Sequence, residues 1–245
     1  MKPAKDIETI EQRGSKVNSG HVHRICNTFL CLLKKHRHCL LALYLPVYLL
    51  AFWVLEQNIT QNYWASYVPA DDAIPFVAEF VIPYCMWYPY AIFPGLYLMV
   101  CDVPVFKKFM YHIMIGMTLG LVICAIFPNG QDLRPLTFKE SNFCTQMVGE
   151  IYRVDTNTNV LPSMHVIGTL AVFFGIYHSA GVGKYVKAAM AVIALLICAS
   201  TVLIKQHSIL DVIAALFVSL PTYVLVYHSK ARHIYSKNTV VQENK

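Results

Sequence analysis

The sequence predicts an all-α, polytopic membrane protein with six transmembrane helices and both termini in the cytoplasm. Three observations carry that expectation. Of 245 residues, 56 % are hydrophobic and only 14 % charged, against ~25 % charged in an average soluble domain, so the chain lacks the charge to cover a water-facing surface. Six stretches reach the ~17–25 mostly apolar residues that a helix needs to cross a bilayer. Lysine and arginine then alternate between the connections, 16 on one side and 4 on the other.

In chain order, residues 1–38 form a basic arm holding eight Lys or Arg. Spans follow at roughly 39–55, 80–101, 109–127, 162–178, 188–204 and 209–227. The connections 102–108 and 178–187 carry two lysines each, and the tail 229–245 carries four cations. On the opposite side, 56–79 has none, 128–160 has Arg134, Lys139 and Arg153, and the last short turn has Lys205. Cations stay on the cytoplasmic side, which fixes the orientation. The second span contains Pro83, Pro89 and Pro94 and is expected to kink or break, with neighbouring helices satisfying the freed backbone. The organisation is therefore an arm (1–38), a six-helix unit (39–228) and a tail (229–245).

The first apolar run starts near residue 39, too late for a cleaved signal, and reads as a membrane anchor. Cations beside a span meet lipid headgroups, so the formal charge of +6 points to a bilayer and not to nucleic acid. Short loops and the uncleaved anchor fit a bacterial cytoplasmic membrane. Eight cysteines are scattered through apolar runs without a CxxC pair, so neither a zinc site nor a disulfide framework is signalled. His21, His23, His36 and His38 belong to the solvated basic arm. The run Asp155 to Asn159 begins like a calcium loop, but Val160 and Val166 stand where Gly and Glu are required. Tyr84, Trp87, Tyr88 and Tyr90 read as an aromatic belt at the membrane interface.

The chemistry lies on the cation-poor side. Arg134-Pro135 falls in the connection 128–160, Pro162-Ser163-Met164-His165 opens the fourth span, and Ser200-Thr201, Lys205, His207 and Asp211 bridge the fifth and sixth. Ionisable groups at such depth are costly and are functional candidates. His207 and Asp211 are four apart and share a helical face, where a carboxylate can fix the imidazole tautomer. His165 follows Pro162 at a helix start, whose free N–H groups attract anions. Arg134 can fork onto phosphate oxygens. Two histidines, a carboxylate, a helix N-terminus and an arginine on one membrane face describe phosphoryl transfer from a lipid.

At these residues the sequence resembles the type 2 phosphatidic acid phosphatase superfamily, over roughly residues 75–228. That family's motifs are Lys-x6-Arg-Pro, Pro-Ser-Gly-His and Ser-Arg-x5-His-x3-Asp. Here they read Phe127 to Arg134-Pro135, Pro162-Ser163-Met164-His165, and Ser200-Thr201 with His207 and Asp211. The resemblance implies that His207 attacks phosphorus to form a phosphohistidine, Asp211 orients it, and His165 protonates the leaving oxygen. It implies Arg134, Ser163 and the Met164 N–H as phosphate ligands, with neither metal nor cofactor. The substrate it implies is a phosphatidate, phosphatidylglycerophosphate or polyprenyl pyrophosphate.

Phe127 and Thr201 replace a lysine and an arginine of the motifs, and Met164 replaces glycine. Lys205, one turn after Thr201, is one candidate substitute cation by position; Arg153 and Lys139 are the others. The loss of two cations also fits a lipid phospho-headgroup transferase, as in the branch of sphingomyelin and inositol-phosphorylceramide synthases, or an inactive membrane scaffold.

Overall fold

In the computed structural model, residues 36–59 and 62–228 are described, so nearly all of the basic arm and the whole tail 229–245 lie outside the described residues. The chain divides into two units, Met1–Ala42 and Leu43–Lys245. Of the first, residues 36–42 are described, and from Arg37 they belong to a 3-10 turn, Arg37–Leu43.

The second unit is built from helices α1 (Tyr44–Asn58), α2 (Ala70–Ala73), α3 (Val81–Cys85), α4 (Trp87–Cys101), α5 (Val103–Ile126), α6 (Phe143–Val154), α7 (Met164–His178), α8 (Lys184–Leu203) and α9 (Ile209–Tyr223). Two strands of two residues each, β1 (Trp64–Ala65) and β2 (Asn129–Gly130), pair in parallel. Four helical runs are long and apolar enough to cross a membrane: Arg37–Asn58, Val103–Ile126, Lys184–Leu203 and Ile209–His228.

The expected second and fourth spans are shorter helices. The second is divided at Met86 into α3 and α4, and Pro94 lies inside α4. The fourth is the 15-residue α7. The expected connection 102–108 is helical from Val103 onward: Asp102 caps α5 by accepting from the Val105 N–H at 3.3 Å, with proline in the first turn. Helix propensity and capping carry α5 past the apolar stretch, through Lys107 and Lys108.

Helix α7 is the centre of the unit, packed against α4, α5, α8 and α9. Val166, Ile167, Ala171, Val172 and Ile176 are buried along it. Small residues permit the close approach. A Cβ at Gly116 of α5 falls 2.7 Å from the Ile167 methyl, and one at Gly175 falls 2.9 Å from Leu98. Leu49, Leu50, Trp53, Phe93, Leu195 and Phe217 are instead exposed on the outer faces, as side chains facing lipid are.

The connections at one end of the helices are tied together. Ser66 N–H donates to the Gly130 carbonyl, Gln131 N–H to that of Asn157, and Asn159 N–H to that of Asn129. Helix α6 caps this end, although 128–160 reads as a plain connection in sequence. Its start is a capping box of Asn142 and Thr145, and its apolar face packs Val148, Met147 and Ile151 beside Val81, Tyr84 and Ile204.

Candidate active site

The tied end of the bundle holds a cavity of about 560 Å³ into which His165, His207, Met164 and Gln206 all open. Each arrives for a local reason. Helix α7 starts at Ser163, whose hydroxyl accepts from the Val166 N–H, placing His165 in the first turn. Asn129 steadies the approach: its side chain accepts from the Leu161 N–H at 2.8 Å and donates to the Phe127 and Leu161 carbonyls. The Met164 and His165 N–H groups have no acceptor among the described residues, as the first amides of a helix do not.

His207 arrives through the turn between α8 and α9. Lys205 has φ +54°, in the left-handed region, and the N–H groups of Gln206 and His207 both return to the Thr201 carbonyl at 3.0 Å. Helix α9 then begins in a capping box formed by Ser208 and Asp211. Asp211 therefore performs two tasks: it closes the helix start and holds the His207 ring.

The His207 Nδ1 lies 3.2 Å from Asp211 Oδ2. A carboxylate only accepts, so Nδ1 carries the hydrogen and Nε2 is left as the basic nitrogen. Asp211 is fully buried and accepts two further bonds, from Ser66 Oγ at 2.6 Å and the Ser208 N–H at 2.9 Å. The His165 and His207 ring centres are 6.0 Å apart. His165 is wedged between Tyr84 and Trp87, with ring centres at 4.6 and 4.8 Å, and Trp87 donates to the His165 carbonyl.

Thus His165, His207 and Asp211 are brought together, with Met164 beside them. Ser163 is fully buried as the cap of α7, and its N–H donates to the Asp211 carbonyl. The heads of Arg134 and Lys205 are held elsewhere. Arg134 donates to the carbonyls of Tyr152, Asp155 and Thr156 and to the Gln206 side chain. Lys205 Nζ donates to the Asp71 and Ile74 carbonyls at 2.8 and 2.7 Å. Where the motifs have cations, Phe127 packs on Trp64 with ring centres at 5.5 Å. Thr201 is buried and bonds the Cys198 carbonyl.

Several site residues gave no sequence signal. Ser66 and Asp71 lie more than 130 positions before the residues they hold at the start of α9: Asp71 accepts from Ser208 Oγ at 2.6 Å and the Ile209 N–H at 2.9 Å, so an outer loop clamps that helix start. Asp155 sits at the cavity wall and accepts from Tyr84 OH and Gln206 Nε2. Burial raises its carboxyl above the ordinary value, against the opposing pull of His207 and Arg134. Tyr84, Trp87 and Tyr88, read from sequence as an interfacial belt, line the cavity.

No protein-family model and no curated protein matches the chain. Among solved structures, the crystal structure of Aquifex aeolicus LpxE is similar at 16 % identity, with a TM-score of 0.46, covering 73 % of this chain and 94 % of that one. The chain is a helical membrane protein with a cavity at one end of its bundle, in which a carboxylate-held histidine faces a second histidine.

Proposed function

We propose that the chain is an integral-membrane, metal-independent lipid phosphatase of the type 2 phosphatidic acid phosphatase kind. It would release phosphate from a phosphatidate, phosphatidylglycerophosphate or polyprenyl pyrophosphate through a phosphohistidine. In this reading α3 with α4, and α7, complete a six-span bundle, both termini are cytoplasmic, and the cavity opens at the extracytoplasmic face, as the distribution of cations requires. The observation that carries it is the Asp211–His207 pair at 3.2 Å facing His165 across one cavity.

The chemistry follows from that arrangement. His207 Nε2 attacks phosphorus as the P–O bond to the lipid breaks, and His165 gives its proton to the departing oxygen. Asp211 keeps the His207 tautomer correct and stabilises the positive ring that forms. Water then attacks the phosphohistidine, returning a proton to His165. The free N–H groups of Met164 and His165 at the start of α7 offer the phosphoryl oxygens their anion site.

The test is phosphate release by the purified protein in EDTA on those three lipid classes, beside a His207→Ala control. The expected result is release that the control lacks; equal release by both proteins would overturn the assignment of His207. A second reading, transfer of a phospho-headgroup between lipids, is favoured by one observation: Arg134 and Lys205 are occupied by carbonyls, so among the described residues no lysine or arginine lines the cavity to meet a phosphomonoester dianion. Headgroup release or exchange with little free phosphate is its signature.

A further inference from the structure

Apart from the cavity, the described residues contain a group of metal-ligating side chains in the unit Met1–Ala42. His36, Arg37, His38 and Cys39 are consecutive, and in sequence they read as part of a solvated basic arm. The structure gathers them in a turn. Cys39 N–H donates to the His36 carbonyl at 2.9 Å as the 3-10 run Arg37–Leu43 begins. Residues three apart in such a turn lie one above the other, which sets Cys39 on the face of His36. The His36 and His38 rings are tilted by 60° with centres 6.0 Å apart, so they do not stack. A ring nitrogen of each histidine and the Cys39 sulfur all lie within 4.8 Å of one another.

That spacing is near what one ion requires. Zinc is bound at about 2.0–2.1 Å by imidazole and about 2.3 Å by thiolate, so ligand atoms at tetrahedral angles are about 3.3–3.6 Å apart. His36 is exposed and the other two are partly exposed, so an ion can reach them and side-chain rotation can close the last ~1 Å. Two imidazoles and a thiol suit zinc, whereas magnesium and calcium take oxygen ligands. Cys39 is a free thiol. On the cytoplasmic side, where the proposed orientation puts it, thiols stay reduced and serve metals in preference to disulfides. Arg37 opposes a second cation, but its side chain is exposed and its repulsion is screened by water and salt.

From this turn we infer that His36, His38 and Cys39 bind one zinc ion, with water as the fourth ligand. On binding, the Cys39 thiol gives its proton to solvent and forms the S–Zn bond. Each histidine offers one neutral ring nitrogen and keeps its hydrogen on the other. No electron is transferred. The ion brings two positive charges and one proton leaves, so the turn gains a single charge. None of the three residues lines the cavity, and the inference stands apart from the chemistry proposed at His207.

The experiment uses the full-length protein in detergent and reducing buffer, stripped with EDTA and then freed of chelator. It is titrated with zinc against a chromophoric competitor, and separately with cobalt(II) as an optical probe. Losing even an outer-shell partner weakens a metal site about 10–100-fold, so Cys39→Ser, His36→Gln and His38→Gln should each bind zinc at least about tenfold more weakly. A His21→Gln/His23→Gln double variant should bind as wild type does. Cobalt should show thiolate charge-transfer absorption that Cys39→Ser abolishes. No bound zinc, unchanged affinity in the three single variants, loss confined to the double variant, or a cobalt spectrum without the thiolate band overturns the inference. Displacement of the zinc by an equal concentration of magnesium overturns it as well. A last measurement needs no substitution: alkylation of Cys39 by N-ethylmaleimide, located by peptide mapping, with and without zinc. Slowing of about tenfold or more supports the site, and an equal rate overturns it.

Discussion

Replacing Asp211 by asparagine separates the two tasks of this carboxylate, and the hydrogen-bond pattern fixes what to expect. Oδ2 accepts from the Ser208 backbone and the His207 ring, whereas Oδ1 accepts from the Ser66 hydroxyl. Backbone N–H can only donate, so the asparagine oxygen must take the Oδ2 position and its NH2 group the Oδ1 position. The Ser66 hydroxyl can rotate to accept there. All three contacts therefore survive, the His207 tautomer is retained, and only the negative charge is lost. Turning a charge-assisted bond of about 1.5–3 kcal/mol into a neutral one of about 0.5–1.5 costs roughly 1–1.5 kcal/mol, so kcat should fall about 5- to 15-fold at 1.36 kcal/mol per decade. Thermal stability should change little. The assay is lipid turnover by Asp211→Asn beside His207→Ala, with melting followed on both. A loss as complete as that of His207→Ala would refute this reasoning, because it would mean the tautomer had been lost with the charge. An undiminished rate would refute it equally, since Asp211 would then neither charge nor orient the ring. Ser66→Ala combined with Asp211→Asn should lose more than the two single losses predict, because the amide then has no acceptor.

Arg134→Lys replaces a flat fork holding four acceptors by a single ammonium with three hydrogens. At least one buried acceptor is orphaned at about 1–3 kcal/mol, so the melting temperature should fall measurably. Turnover should fall with it, because Gln206 is freed beside His207; an unchanged melting temperature would show that the arginine does not hold this loop. For Asp155 the sign follows from its raised carboxyl. The folded state holds that proton more tightly than the unfolded chain, so the group favours folding below the ordinary carboxylate range near pH ~4. That contribution is lost as pH rises through the raised value. Asp155→Asn should therefore stabilise the protein relative to wild type near neutrality, with the advantage vanishing toward pH ~4, in melting curves taken across pH. A constant difference over that range would show that burial does not control this carboxyl.

The residues proposed to do chemistry were legible in the sequence by their spacing, and those that hold them in place were not. His207 and Asp211 declare themselves because a spacing of four on a helix places them on one face whatever the surrounding fold. His165 declares itself because a serine cap after proline starts a helix almost independently of context. Arg134 was legible as a cation at one membrane face, but whether its fork points to a ligand or to carbonyls depends on the loop 152–156 returning beside it. Nothing local to Arg134 encodes that return. Lys205 illustrates the same limit: one turn from Thr201 on an ideal helix, it instead occupies a left-handed turn that sends its side chain to the 71–74 loop. Helix α6 was recoverable, since Asn142 and Thr145 form a capping box ahead of Cys144, Met147, Val148 and Ile151 at helical spacing. Short amphipathic helices are simply hard to see between long apolar ones.

The burial of the polar groups around Asp211 gives the loop 66–74 a reason to exist. A buried carboxylate is tolerated only when its lone pairs are filled, and helix α9 alone supplies the Ser208 amide and the His207 ring. The remaining oxygen is filled by Ser66, and the other exposed donors of the α9 start are filled by Asp71. Lys205 then fastens the same loop by its backbone carbonyls. A cation that would otherwise lie at the site is thereby used to hold the scaffold, as is Arg134 on the other side of Gln206. In the ligand-free chain both cations hold backbone carbonyls around the turn that carries His207 and so help to keep that ring in place. The His207–Asp211 pair is thus held from two sides, by the loop 66–74 through Ser66, Asp71 and Lys205, and by Arg134 through Gln206.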